Sequence, residues 1–424
     1  MKKIFIRYII VTLLSYAVLG SAYILLENNK IINIKNTIGA TRYDQNKYHI
    51  PQINYFLIHK IDLLNYSSST ATTPGQHLFY SLILKLFNIK HISDSTLSIR
   101  FIHLFLNLLV IFLVGLLFYN ISANNHSQLY LLPLVCSPYF IDGSLYITTD
   151  NITIGIIAVT LFFLLLSDTN KSRLYFANIS NMLAVFWRQN TIWLQLPILI
   201  ENCKRAYRSG NYRTLLSHIL PLSLFLFFII SWGGLTPKEF QQFHEKGFNF
   251  AAIIYIISLS AILGGFYLID ILDQIKEISS FLKKRIILRS SIIGLLLGII
   301  IPSSINHESG RWGGYLWSLS SYLPIIYDRS FFFILLTILG SIILAHFFHL
   351  LNNKKHSLIF IAFISWLFSC SGNFVVFQRY FEPTLILFFS IFTLLLISKD
   401  KKNVYSPVLL GSLLFSTYLL KSFL

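Results

Sequence analysis

Long apolar runs recur along the whole chain, and they restrict its fold more than any other feature of the sequence. A helix that crosses a bilayer needs about twenty mostly apolar residues. Charged residues make up only 12% of the 424 residues and hydrophobic ones 55%, whereas a soluble domain has about 25% charged residues. The runs are 4–26, 98–119, 128–145, 152–167, 173–187, 190–203, 214–232, 249–270, 286–302, 330–349, 357–371, 379–397 and 404–423. The sequence therefore predicts an all-α polytopic membrane protein, with about 11–13 transmembrane helices in one integral membrane domain over 1–424.

The basic residues follow the loops, and they predict an orientation. The net charge is +17, and with the N-terminus inside, the basic residues concentrate in short alternate loops, as the positive-inside rule expects. The charge therefore gives no reason to expect a nucleic-acid partner, and membrane lipids are the expected surroundings. The long loops fall on the other, external face: 27–97, 233–248, 304–328 and 372–383.

The start of the chain and its composition bear on localisation. Lys2, Lys3 and Arg7 before the first run resemble the start of a signal peptide, but the run is long and no small-residue cleavage site follows it, so we expect a retained helix. A composition rich in Ile, Asn and Lys is typical of an AT-rich genome. We expect a multi-pass protein of a bacterial plasma (inner) membrane, its long loops periplasmic; an endoplasmic reticulum protein would place them in the lumen.

The first external loop, 27–97, is long enough to hold structure of its own. Ile50, Ile53, Leu57 and Ile61 recur at helical spacing, which predicts an amphipathic helix on the membrane surface. A second short helix is predicted over about 76–88, after "TTPG". The polar stretch "TRYDQNKYHIPQINYF" at the start of the first helix then places Asp44 at the membrane border.

Two acids beside the spans are candidate catalytic residues, because charges next to a bilayer core need a reason to be there. Asp44 is the first candidate and Asp150 the second. Asp142 and Asp150 in "YFIDGSLYITTDN" are also typical of a turn and a helix N-cap. Tyr48 and His49, close to Asp44, are candidate substrate-binding residues.

Three arginines on the same face lie among aromatic residues: Arg188 in "AVFWRQNTIW", Arg311 in "HESGRWGGYLW" and Arg379 in "NFVVFQRYFEP". Any one of them is typical of an aromatic belt. Guanidinium groups are also preferred partners of phosphate. We interpret the three, with Tyr380, as candidate substrate-binding residues.

Motifs for nucleotide or metal chemistry are missing from the sequence. It contains no Walker loop, no GxGxxG on a strand-to-helix turn and no HExxH, and the histidines have no compact ligand spacing. Cys136, Cys203 and Cys370 lie in or beside apolar runs, so we interpret them as small core residues. We expect no cofactor and no metal, and a lipid-linked activated substrate instead.

The first loop resembles that of the GT-C class of polytopic glycosyltransferases, which take sugars from polyprenyl-phosphate carriers. In "DQNKY", Asp44 matches the catalytic Asp of that class, and Gln45 stands where the class often has Glu. The resemblance implies a GT-C-like helical bundle, a polyprenyl-phosphate-sugar donor and a glycan or lipid-linked acceptor.

One family within the class is more specifically similar, the alpha-1,2-glucosyltransferases that add the terminal glucose to the dolichol-linked oligosaccharide. His49 to Gln52 match its His-Ile-Pro-Gln stretch, and Thr72 to Gly75 match its Thr-Thr-Pro-Pro-Gly with one Pro fewer. "LAVFWRQNTIW", 183–193, resembles its element containing Arg-Gln. These matches cover about a quarter of the chain, all before residue 200.

The resulting hypothesis is a membrane glycosyltransferase of the cell envelope, with Asp44 as general base and the arginines holding the departing phosphate. A lipid-linked sugar flippase or transporter, and an O-antigen ligase or polymerase, are the alternatives. A flippase is expected to carry charges deep in its spans and an internal repeat. A ligase is expected to carry a long external loop in its second half.

Overall fold

The structure is a computed structural model and describes most of the chain. The described residues are 2–32, 40–59, 63, 66, 68–89, 91–92, 96–122, 126–166, 172–244, 247–307, 313–353, 356–397 and 404–423. Ile61 and Arg311 lie outside them.

Helices make up nearly all of the regular structure in these residues. In chain order they are α1 (Lys2–Asn28), α2 (Thr41–Asp44), α3 (Ile50–Ile58), α4 (Gly75–Leu86), α5 (Thr96–Ile121), α6 (Leu132–Val135), α7 (Pro138–Leu145), α8 (Asp150–Leu165), α9 (Ser172–Trp187), α10 (Gln195–Ser209), α11 (Ile219–Trp232), α12 (Lys238–His244), α13 (Ala251–Leu268), α14 (Leu272–Glu277), α15 (Ser280–Ile300), α16 (Tyr315–Ser320), α17 (Phe331–Asn353), α18 (Ser357–Cys370), α19 (Gln378–Leu396) and α20 (Ser406–Phe423). The predicted helix at about 76–88 is α4.

One short hairpin also occurs in the described residues. Strands β1 (Ile325–Ile326) and β2 (Arg329–Ser330) pair antiparallel. Tyr327 and Asp328 between them both have positive φ, 46° and 59°, as a two-residue turn that follows the strand twist requires.

Within the described part of the chain, six helical segments are long and apolar enough to cross a membrane: Ile6–Asn28, Thr96–Ile121, Tyr212–Trp232, Ala251–Glu277, Phe331–Asn353 and Gln378–Leu396. A seventh span results if α7 and α8, which meet at 109°, count as one broken span. The protein is thus a multi-pass helical membrane protein. Of the other apolar runs in the sequence, 357–371 and 404–423 form shorter apolar helices, and α15 carries four basic residues.

The chain forms two compact units. The first comprises Met1–Leu117, Pro138–Glu245 and Leu419–Leu424, and the second Phe118–Ser137 and Lys246–Tyr418. The two are described separately below, and the single membrane domain over 1–424 stays a prediction.

The first loop packs into the core of the first unit. Ile53 and Leu57, on one face of α3, contact a cluster that includes Tyr80 and Leu84 of α4. This is the apolar face predicted from the helical spacing, and it is buried by protein. Contact with the membrane surface stays a prediction for this helix.

A buried carboxylate in the second unit holds the start of α20. Asp270 is fully buried and accepts hydrogen bonds from the hydroxyls of Tyr130 and Ser406 and from the backbone N–H of Tyr405 at 3.1 Å. A negative charge is favourable at a helix N-terminus, where backbone N–H groups lack partners. This acid therefore has a structural role.

The cysteines differ from the expectation of three core residues. All three are free thiols; Cys370 is buried, Cys136 is half-buried and Cys203 is exposed. The expectation is wrong for Cys203 because α10 buries Asn202 beside it and turns Cys203 outward with Lys204.

Candidate active site in the first unit

Asp44 directly precedes an irregular helical turn. The helical run from α2 to α3 is interrupted by a π-helical segment, Gln45–His49, and such segments are frequent at functional sites. Asp44 is half-buried and ends α2. The side-chain oxygen of buried Gln45 accepts the backbone N–H of Ile147 at 3.0 Å. Gln45 therefore anchors the segment that carries Asp44 to the connection between α7 and α8.

The "HIPQ" stretch holds the approach to α4. The side-chain oxygen of Gln52 accepts the backbone N–H of Ser69 at 2.6 Å, and Gln52 itself is buried. Gln52 therefore fixes the segment just before "TATTPG" against α3.

"TTPG" packs on the end of α9. The Thr73 hydroxyl donates to the Val185 carbonyl at 2.9 Å, and the Thr73 N–H donates to the Gln189 side chain at 3.2 Å. A Cβ on Gly75 would lie 2.3 Å from the Phe186 carbonyl oxygen. A side chain at position 75 would push the two segments apart, so this close approach requires glycine.

Gln76 connects three segments. Its side-chain amide donates to the Thr148 carbonyl at 2.9 Å, and its side-chain oxygen accepts the indole N–H of Trp187 at 3.0 Å. Gln76 is fully buried and both ends of its amide are paired, which stabilises such a group in a core. The first loop, the α7–α8 connection and the end of α9 therefore meet here.

Asp150 and Arg188 form an ion pair beside this junction. The guanidinium of Arg188 bonds Oδ1 of Asp150, and both side chains are about 15% exposed. Asp150 is the first residue of α8, and the N-cap is Thr149, so the interpretation of Asp150 as an N-cap is wrong. The structure thus brings together a candidate acid and a candidate phosphate ligand, in a pair that water still reaches.

His49 lies against His77 of α4. The two rings are nearly parallel, and His49 Nδ1 and His77 Nε2 are 2.9 Å apart. His77 Nδ1 is buried and has no hydrogen-bond partner among the described residues. A buried N–H without a hydrogen-bond partner costs more free energy than a buried unprotonated nitrogen without one. We therefore assign the His77 proton to Nε2.

Because of the pKa of His77, the stability of the folded protein is expected to depend on pH. This pKa lies well below the ordinary value of 6.5 because His77 is buried and because His49 lies beside it. The fold therefore favours the neutral ring, while the unfolded chain takes up a proton as pH falls through about 6.5. Below that pH, this histidine is expected to cost up to about 1.4 kcal/mol of stability per pH unit. The midpoint of thermal unfolding in detergent, followed from about pH 7.5 to about pH 5, checks this.

His77→Gln is expected to flatten that decline, and His59→Gln, at an exposed histidine of the same loop, is expected to leave it unchanged. An equal decline in the wild type and His77→Gln would contradict the assignment.

The remaining candidates lie in the second unit or outside the described residues. Arg379 donates to the Tyr380 hydroxyl at 3.1 Å, and its guanidinium lies 4.9 Å from the Tyr380 ring centre and 5.6 Å from that of Phe377. It is therefore held among aromatic rings, as predicted from "FQRYFEP". Arg311 belongs to the part of the chain that the structure does not describe.

Glu382 is an acid whose position the sequence did not reveal. The predicted loop 372–383 overlaps the predicted apolar run 379–397, and the structure agrees with the run, because α19 begins at Gln378 and Glu382 lies inside a candidate span. Glu382 accepts hydrogen bonds from Ser137 at 2.7 Å and Gln378 at 2.6 Å. Gln378 in turn accepts the Tyr255 hydroxyl at 2.8 Å. A buried acid in a span is a functional candidate by default, and "FEP" at the start of an apolar run was the signal for it.

Among the described residues, no group of three or more His, Cys, Asp or Glu side chains is placed to hold a metal ion. The expectation of a site without metal stays a prediction. Comparison of the chain with family models, with curated proteins and with solved structures gives no match.

Proposed function

We propose that this chain is a membrane glycosyltransferase that transfers a sugar from a polyprenyl-phosphate-sugar donor to a glycan or lipid-linked acceptor. One observation carries the proposal. Segments that separately resemble glucosyltransferase motifs, "HIPQ", "TTPG" and "WRQ", are tied into one cluster by Gln52, Thr73 and Gln76. Gln45, the residue after Asp44, bonds the same α7–α8 connection as Gln76. A shared site requires that motif segments far apart in the sequence contact one another, as Thr73 and Gln189 do across 116 residues. Chance matches to the motifs would lie at unrelated places in the fold.

The proposed reaction needs a base and a stabiliser of negative charge. The acceptor hydroxyl attacks the anomeric carbon, its proton passes to the Asp44 carboxylate, and the bond from the sugar to the phosphate oxygen breaks with its electrons on that oxygen. Arg188, which lies in the same unit as Asp44, is the candidate to stabilise the phosphate, and the phosphate-binding role of Arg379 stays a prediction. Asp150 holds Arg188 by the ion pair, so we assign Asp150 to positioning Arg188 ahead of acting as base. The GT-C-like bundle, the bacterial plasma membrane and the periplasmic active face are parts of the same proposal.

The test is transfer by purified protein in nanodiscs, with radiolabelled polyprenyl-phospho-sugars and membrane-extracted acceptor lipids. The wild type is expected to consume one donor. Asp44→Asn is expected to lower the rate by about 10²–10⁴, because it removes general-base help. Asp273→Asn is the matched control, since the side chain of Asp273 is 73% exposed, and we expect it to transfer at the wild-type rate.

Other results would replace this function by a specific alternative. Labelled donor that crosses proteoliposome bilayers without being consumed would establish a transporter. Transfer of a whole lipid-linked glycan would establish a ligase or polymerase. Full activity in a folded Asp44→Asn protein would remove Asp44 as base.

A further inference from the structure

An aromatic cluster beside Asp44 has no part in the mechanism above. It consists of Tyr43 and Tyr48 of the first loop, Phe240 of α12 and the side chain of Lys47, all in the first unit; we call it the aromatic corner. Tyr43 is 53% exposed, Tyr48 and Phe240 are half-buried, and Lys47 is exposed. Tyr48 was predicted as a substrate-binding residue, and the others were not.

The rings form a corner because successive planes are nearly perpendicular. The ring centres of Tyr43 and Tyr48 are 6.0 Å apart at 81°, and those of Tyr48 and Phe240 are 5.9 Å apart at 70°. Gln241 next to Phe240 donates to the Trp232 carbonyl at 3.0 Å, which fixes α12. The corner is therefore built from two distant segments.

Lys47 lies at the polar edge of the corner, and its ammonium group is 5.6 Å from the centre of the Tyr48 ring. The same group donates to the Tyr43 hydroxyl and lies 5.0 Å from the centre of the Tyr43 ring. The phenol oxygen of Tyr43 lies outside the ring. An ammonium group that bonds this oxygen and lies 5.0 Å from the ring centre is therefore near the hydroxyl end of the ring. The corner thus offers a tyrosine ring that is 53% exposed, with a hydroxyl and a cation at its edge.

Such a surface fits a sugar better than a lipid chain or a phosphate. The apolar C–H face of a pyranose packs on an aromatic ring, and its hydroxyls find donors and acceptors at the ring's polar edge. An acyl chain gains nothing from the ammonium and hydroxyl groups. A phosphate would pair with the ammonium of Lys47 but would leave the aromatic rings without a partner.

We propose that the aromatic corner binds the acceptor glycan and presents its hydroxyl to Asp44. This inference rests on the proposed function for the identity of the reaction. It adds two statements to that function: the acceptor is a carbohydrate, and Tyr43, Lys47 and Phe240 bind it.

The first experiment measures binding without turnover. The full chain in nanodiscs is mixed with a glucose trisaccharide, a mannose trisaccharide or an N-acetylglucosamine dimer, and binding is followed by saturation-transfer NMR. At least one saccharide is expected to bind. Tyr43→Ala is expected to weaken binding about five- to tenfold, and Tyr43→Phe, which keeps the ring, less than threefold. Tyr207→Ala, at a tyrosine that is 82% exposed, is the matched control.

The second experiment measures transfer kinetics with the same variants. Tyr43→Ala is expected to raise the acceptor KM about five- to tenfold, with kcat and the donor KM unchanged. A raised donor KM with an unchanged acceptor KM would assign the corner to the donor and overturn the inference. Binding of no saccharide, or equal binding by Tyr43→Ala and wild type, would overturn it as well.

The two proposals fail in different ways. Saccharide binding that Tyr43→Ala loses, in a protein that transfers no sugar, would keep the corner as a carbohydrate site and remove the enzyme. Transfer by the wild type with unchanged kinetics in Tyr43→Ala would keep the enzyme and remove the corner.

Discussion

Glu27→Ala is expected to lower the free energy of unfolding of the first unit by about 3–5 kcal/mol, because it leaves a buried guanidinium without its carboxylate. Glu27 Oε2 lies 2.7 Å from Arg100 Nη2, and the side chains are 7% and 8% exposed. Arg100 also donates to the Leu145 carbonyl at 3.0 Å and lies over the Tyr146 ring. The pair therefore connects α1, α5 and the end of α7.

A second arginine on the same acid supplies the control. Arg42 Nε lies 3.4 Å from Glu27 Oε1, but the Arg42 side chain is 39% exposed. Water screens such a contact, so Arg42→Ala is expected to cost about 1 kcal/mol or less. Thermal and denaturant unfolding in detergent measure both variants. Equal costs for Glu27→Ala and Arg42→Ala would mean that the buried pair contributes nothing.

Glu27→Gln separates charge from hydrogen bonding at the same position. Glutamine keeps an oxygen for the Arg100 hydrogen bond and removes the charge. We expect a cost between those of the other two variants, because a hydrogen bond between neutral and charged partners is weaker than one between two charges. A cost equal to that of Glu27→Ala would assign the whole effect to charge.

This pair illustrates what the sequence did and did not predict. Helix existence follows from local patterns, and so α3, α4 and the long spans were predicted from spacing, "TTPG" and apolar length. Glu27 ends an apolar run, and Arg100 lies near the start of another. The sequence around either residue does not reveal a partner 73 residues away, because long-range pairing depends on which helix faces meet.

At the candidate site, too, the sequence predicted the local motifs but not the long-range contacts between them. Sequence motifs identified "HIPQ", "TTPG" and "WRQ", and the resemblance suggested one function for them. That Gln76 bonds Trp187 and that Asp150 bonds Arg188 is visible only after folding. Glu382 falls where the predicted loop 372–383 and the predicted apolar run 379–397 overlap, and α19 contains it. The helix also continues through Pro383. Proline ends helices less reliably in membranes, where neighbouring helices and side chains satisfy the freed backbone groups.

Gly340→Ala is expected to prevent the second unit from folding normally, with a loss of about 3 kcal/mol or more. A Cβ at this position would lie 1.9 Å from the carbonyl oxygen of Ile257, and a backbone atom in α13 cannot turn aside as a side-chain tip can. Small residues let membrane helices approach this closely. Gly265→Ala is the matched control, because its Cβ would meet nothing closer than Ile343 Cδ1 at 4.0 Å.

The two glycine variants should move stability in opposite directions. Alanine is a better helix former than glycine by about 1 kcal/mol, so Gly265→Ala is expected to unfold at the same temperature as the wild type or higher. Gly340→Ala is expected to give little monodisperse protein and a lower unfolding midpoint, because the clash outweighs the helix propensity it gains. Size-exclusion yield and thermal unfolding in detergent measure both. If Gly340→Ala matched Gly265→Ala, α13 and α17 would have to lie farther apart than their backbone contact at Ile257 allows.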